Sequence, residues 1–167
     1  MRRAALSLIL LTGCPSMDNP VVTREIQWAD AETEALARRA CYDCHSNETH
    51  WTAGHHVPIV RSIVVGDVRR GRCHMNFSEW DGPNEDAWDA VDELLDGDMP
   101  LKMYLATHQE ARLTDDERMR LAEGLAATFE IDPPLDGDRC DDDDDRTDDL
   151  EDRDDDDDRD DDDRDDD

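Results

Sequence analysis

Residues 41–45 read Cys-Tyr-Asp-Cys-His: two thiols three positions apart, with an imidazole directly after the second. No other feature constrains the fold as much, because the chain has only five cysteines and six histidines. On a helix, positions 41, 44 and 45 share one face, so Cys41, Cys44 and His45 address a single flat partner. C-x-x-C-H is the attachment pattern of c-type haem, in which two thiols add to the vinyl groups and the imidazole binds iron. Other uses of the pattern fit less well. A thioredoxin-like redox pair calls for a strand–helix context and usually lacks the adjoining histidine. A structural zinc site needs a second pair of ligands, for which Cys73-His74 is the candidate. The same pair is a weaker candidate for a one-cysteine haem site. His50, His55 and His56 read as exposed loop histidines.

The N-terminus gives the chain an address. Arg2 and Arg3 precede a short apolar run, Ala4 to Thr12, which ends in Leu11-Thr12-Gly13-Cys14. This is the layout of a secretory signal, too short to anchor in a bilayer as a helix. Its end resembles the bacterial lipobox, in which the cysteine is lipidated and becomes the new N-terminus. An ordinary signal peptide with a chance cysteine is the alternative. Export strengthens the haem reading, since c-type haem is attached outside the cytoplasm. The expected location is the cell envelope, lipid-anchored through Cys14 to a bacterial membrane and facing the periplasm or the cell surface. With Cys14 lipidated and Cys41 and Cys44 in the motif, Cys73 and Cys140 remain. In an oxidising compartment they can pair, but nothing in the sequence brings them together.

The rest of the chain reads as short helices. Asp30 is placed to cap a helix running to Cys44, with Glu32 and Glu34 in its first turns and Arg38 and Arg39 near its end. Pro58 starts a second segment, "VPIVRSIVVGDVRRGR", read as a helix, although its β-branched run also suits a strand. Asn84 is expected to cap a third helix, whose Ala87, Trp88, Val91, Leu94 and Leu95 share a face, with Gly97 closing it in a left-handed conformation. Pro100 opens a short helix with Leu101, Tyr104, Leu105 and His108. Thr114 to Glu117 forms a capping box for the last helix, and Leu121, Leu125 and Phe129 continue along it. The fold class is therefore all-α, a small cytochrome-c-like helical domain around a covalent haem. The expected organisation is a signal peptide at 1–13, a lipidated tether at 14–27, the haem-binding domain at 28–132 and a disordered Asp-rich tail at 133–167; packing of part of the tether as an extended arm is the alternative there. Two Phe, two Tyr and four Trp make a thin core for this length, and a bound haem adds the missing apolar volume.

Haem iron has a sixth position. Met99 is the chosen ligand, because it follows the Gly97 stop and precedes Pro100, which favours an extended backbone there. Met75, Met103 and His108 are its rivals. With these residues on the page, 41 to about 130 resembles the bacterial haem-binding domain family, a cytochrome-c-like group. The likeness is carried by "CYDCHSNET", "GRCHMNFSEW", "GDMPLKMYLATHQEARLTDDE" and the final amphipathic helix. It implies haem c on Cys41, Cys44 and His45, and a Met-Pro pair such as Met99-Pro100. The stretch "HWTAGHHVP" departs from the Pro-Trp-Tyr of relatives, and Cys73-His74 looks like an addition.

Charge bears on partners. The formal net charge is −29, of which −17 lies in residues 141–167 and −12 in residues 1–140. An acidic body argues against nucleic acid and favours basic redox partner proteins. The tail lacks the regular spacing of calcium-binding loops, so loose divalent cation binding is the reading there. The leading function is a monohaem carrier of single electrons at a membrane surface. Six-coordinate iron offers no substrate site, which argues against an enzyme. The alternatives are a haem-based sensor or small peroxidase with a labile sixth ligand, and a non-haem acidic lipoprotein that binds cations.

Overall fold

A computed structural model describes residues 17–137 and 139–140. Cys14, the signal segment and the tail from 141 onward lie outside the described residues. The chain forms α1 (Ala31–Ala40), α2 (Tyr42–His45), α3 (Pro58–His74), α4 (Asp89–Asp96), α5 (Lys102–Thr107) and α6 (Asp115–Ile131), joined by three short 3-10 turns. The described residues contain no strand, only two isolated bridges. The domain is all-α, as its periodicities indicate.

Local chemistry sets most boundaries. The Asp30 carboxylate accepts the Glu32 and Thr33 amides, each at 2.9 Å, and starts α1. The helix does not run on to Cys44. It breaks at Cys41, whose ψ of −30° still permits a new short turn, α2. Pro58 sits in the first turn of α3, so the β-branched run is helical; no strand partner is present among the described residues to use it otherwise. Asn84 does not cap. Its side-chain oxygen accepts the Asn76 amide at 2.7 Å instead of a helix amide, and the chain enters α4 through a 3-10 turn, Glu85–Trp88. Gly97, at φ 83°, closes α4 in the left-handed region that only glycine adopts cheaply. The Thr114–Glu117 capping box opens α6 as expected.

α6 is the spine. Its Leu121, Leu125 and Phe129 are buried, with α1 and α4 packed against it. Gly124 allows α1 to approach, since a Cβ there would overlap Thr33. A row of rings crosses the core: Tyr42, Phe77, Trp80 and Phe129 follow one another at centroid spacings of 5.5, 6.2 and 5.6 Å. Rings stacked at these offsets combine a large apolar area with favourable quadrupole geometry. Scarce aromatics are thus concentrated in one place.

Two stretches assigned to flexible ends are built into the domain. Within the expected tether, residues 19–27 form an extended arm. Ile26 is buried, its amide bonds Phe77 O at 3.0 Å, and the Trp80 amide bonds Arg24 O at 2.9 Å. Arg24 grips Asp132 with two bonds of 2.7 and 2.8 Å. Order also continues past Pro133-Pro134. Leu135 bridges Pro83, Arg139 pairs with Glu79 at 2.7 Å, and Cys140 forms a disulfide with Cys73 across a Cα–Cα distance of 5.0 Å. Backbone pairing with distant residues holds both stretches, and hydrophobic period does not report such pairing.

Candidate functional site

The turn that carries the thiols is held from below. The Cys44 and His45 amides both bond Cys41 O, at 3.1 and 2.9 Å, so Cys41, Cys44 and His45 lie on one turn. The Phe77 amide donates to His45 O at 2.9 Å, and Arg72 donates to Ser46 O at 2.7 Å. α3 crosses directly against this turn at Gly71, where a Cβ would stand 2.7 Å from Cys44 O. Glycine here is a requirement of close approach.

His45 Nδ1 lies 3.1 Å from Met75 O. A carbonyl only accepts, so Nδ1 carries the hydrogen and Nε2 is left as the free lone pair. Burial holds the imidazole below its usual value, which keeps it neutral. A neutral ring oriented by a backbone carbonyl is the form in which histidine ligates a metal.

The opposite wall comes from α4, the Met99–Leu101 segment and α5. After Gly97 the amides of Gly97, Asp98 and Met99 all point at Glu93 O, at 3.2, 3.1 and 3.1 Å. This fixes the half-buried Met99 beside the end of α4. Tyr104 reaches across to donate to Asp43 at 2.9 Å. Between the two walls lies a cavity of about 520 Å³, and Cys41, Cys44, His45 and Met99 all line it. Its floor is apolar, with Leu94 and Leu125, and its rim carries Asp67, Asp86, Asp89 and Glu93 together with Arg70 and His74.

The structure sorts the rivals for the sixth position. Met103 is 78% exposed and does not line the cavity. His108 does not line it either; its ring stacks on Tyr104 at 4.1 Å. Met75 does line it, on the side where its own carbonyl orients His45. Cys73 is taken by its disulfide and His74 bonds Asp86 at 2.8 Å, so the pair supplies no second zinc half-site. No metal-binding group of three His, Cys, Asp or Glu is present among the described residues. Of the loop histidines, His50 and His56 are exposed, but His55 is buried. Its ring meets Trp51 edge-on at 5.9 Å and accepts the Thr52 amide at 3.2 Å.

Burial, with Cys44 alongside, pushes Cys41 up to about 12. Burial, with Asp67 and Asp43 nearby, does the same to Cys44. Both thiols are therefore neutral in the free protein. The donor set fits haem: two thiols, one oriented neutral imidazole and one thioether around an apolar floor. Gly71, Met75 O and Tyr104 complete the site, and sequence reading missed them. Only a glycine inside the α3 pattern hinted at the first.

Fold and site together define a small helical domain that binds haem. The chain belongs to the haem-binding domain family, which matches residues 9–127. No curated protein and no solved structure matches it.

Proposed function

We propose that the protein is a lipid-anchored monohaem c-type cytochrome that passes single electrons at the cell envelope. The convergence of Cys41, Cys44, His45 and Met99 on one cavity carries this reading. Cys41 and Cys44 would hold haem by thioether bonds, each sulfur giving its proton to the vinyl carbon it does not join. His45 Nε2 and the Met99 sulfur would hold the iron. Bound haem supplies a metal that cycles by one electron, and thioether ligation raises its potential. The protein's own residues orient the imidazole through Met75 O, wall the site with Leu94 and Leu125, and set carboxylates at its rim. That rim supports a basic redox partner, through attraction that speeds encounter. The lipobox supports attachment through Cys14, with the domain facing the periplasm or the cell surface.

The test is attachment. In a host that attaches c-type haem, Cys41→Ala with Cys44→Ala is expected to leave no haem stain on a denaturing gel, where the parent stains. Stain retained by the double variant overturns the covalent reading.

A further inference from the structure

The first half of α3 presents an apolar face that the fold leaves bare. Ile59 is 76% exposed and Ile63 51% exposed, with Val57 and Val60 beside them. Ile59 and Ile63 are one turn apart and stack on one side of the helix. None of these residues lines the haem cavity, which takes only Asp67, Arg70, Gly71 and His74 from α3. Haem therefore does not account for the face.

Its charge differs from that of the rest of the molecule. Residues 49–66 form the longest run without Asp or Glu in a chain that has 47 of them among 167 residues. Arg61 lies within this run, and Arg69 and Arg70, both exposed, follow on the same helix. An apolar strip flanked by cations and free of carboxylates is the composition of a helix that lies on an anionic lipid surface. Elsewhere the acidic body would be repelled from such a surface.

The N-terminal arm places this face near the lipid. Asn19 donates to Thr49 O, accepts from Trp51 Nε1 and accepts from Arg72, each at 3.0 Å. It is thus pinned beside the segment that leads into α3. Five Cα–Cα steps join Asn19 to Cys14, a reach of about 17 Å. Ile63 lies about 14 Å along the helix from Arg72. A lipid on Cys14 and the bare face can therefore meet the same bilayer.

We propose that Val57, Ile59, Val60 and Ile63 rest on the anionic membrane surface to which Cys14 fastens the chain. This builds on the lipid-anchor reading, and it fixes how the domain sits once anchored. The cavity residues begin one turn beyond Ile63, so the haem is held beside the bilayer at a set height.

Hydroxyl-radical footprinting of the lipidated holoprotein tests it, on phosphatidylcholine vesicles containing phosphatidylglycerol. Oxidation of residues 57–63 is expected to fall several-fold relative to Cys14→Ser holoprotein in free solution. Met103 and Met119, exposed elsewhere, are expected to label equally in both. Equal labelling of 57–63 overturns the proposal. Partitioning of the same preparation into detergent reads the anchor separately. Cys14→Ser holoprotein is also floated with the vesicles at low ionic strength. Weak retention is expected, reduced several-fold by Ile59→Glu with Ile63→Glu, both exposed enough to leave the fold intact. Retention indifferent to these substitutions, or absent altogether, overturns the proposal whatever the state of the anchor. Protection of 57–63 without vesicles, together with a dimer mass by light scattering, assigns the face to a second copy and also overturns it.

Discussion

Met99 and Gly71 do their work by what they allow next to them. Met99 is held by a hydrogen bond from its backbone amide to Glu93 O and lines the cavity. On the proposed ligation, Met99→Ala removes the sulfur–iron charge-transfer absorption of the oxidised protein, lowers the reduction potential and opens the iron to carbon monoxide. Met75→Ala and Met103→Ala keep the absorption; its survival in Met99→Ala and loss in another methionine variant moves the ligand. Gly71→Ala places a methyl 2.7 Å from Cys44 O, where backbone lies on both sides. Helix propensity favours alanine by about 1 kcal/mol, but overpacking costs about 1–3 kcal/mol, so a net loss is expected in chemical unfolding of the holoprotein. Haem loading is expected to fall with it. Local spacing puts Cys41, Cys44 and His45 on one turn, and the loop marked by Pro100 puts Met99 on the same cavity. Gly71 and Met75 O act on residues 27 and 30 positions away, and no local pattern records that.

Among the elements, helix ends were more legible than helix continuity. Asp30, Gly97 and the Thr114–Glu117 box each act within four residues, and each is found in its expected role. Asn84 was misjudged because its side-chain oxygen is used by Asn76, a contact made only once the loop has folded. Cys41 was placed inside a helix that in fact stops there, since residue type alone did not signal the break. Asp30 also gives α1 a pH dependence. Its hydrogen bonds with Thr33, helped by Arg120, lower it from 3.8 to about 2. A depressed carboxylate stabilises the fold above its unfolded value, and that contribution disappears as pH falls from about 4 towards 2. Asp30→Asn keeps a capping acceptor but loses the charge. Urea midpoints of the two proteins are therefore expected to differ at pH 6 and to converge as pH falls through this window. A constant gap would show that charge is not the source.

At the scale of the whole molecule, packed chain extends beyond both ends of the helical core. The amphipathic helices announce a core, and α6 collects it through Leu121, Leu125 and Phe129. The arm at 19–27 and the strap at 135–137 and 139–140 contribute few apolar residues and are held by backbone bonds, Arg24–Asp132, Arg139–Glu79 and the disulfide. Such segments resemble linkers in composition. The few rings are gathered into one row from Tyr42 to Phe129, beside the cavity that a haem would fill.

The Cys73–Cys140 bond also bears on how sulfur is shared out. If haem is attached through Cys41 and Cys44, maturation and oxidation draw on the same four thiols in one compartment. Of the pairings open to four thiols, only the one observed leaves the motif reduced. Closing that bond takes both competing thiols out of exchange with the motif. Cys73→Ser alone turns Cys140 into a rival for Cys41 and Cys44, through thiol–disulfide exchange. Its yield of stained protein is expected to fall below that of Cys73→Ser with Cys140→Ser, even though the double variant loses the same crosslink. Equal yields would show that the bond is mechanical only.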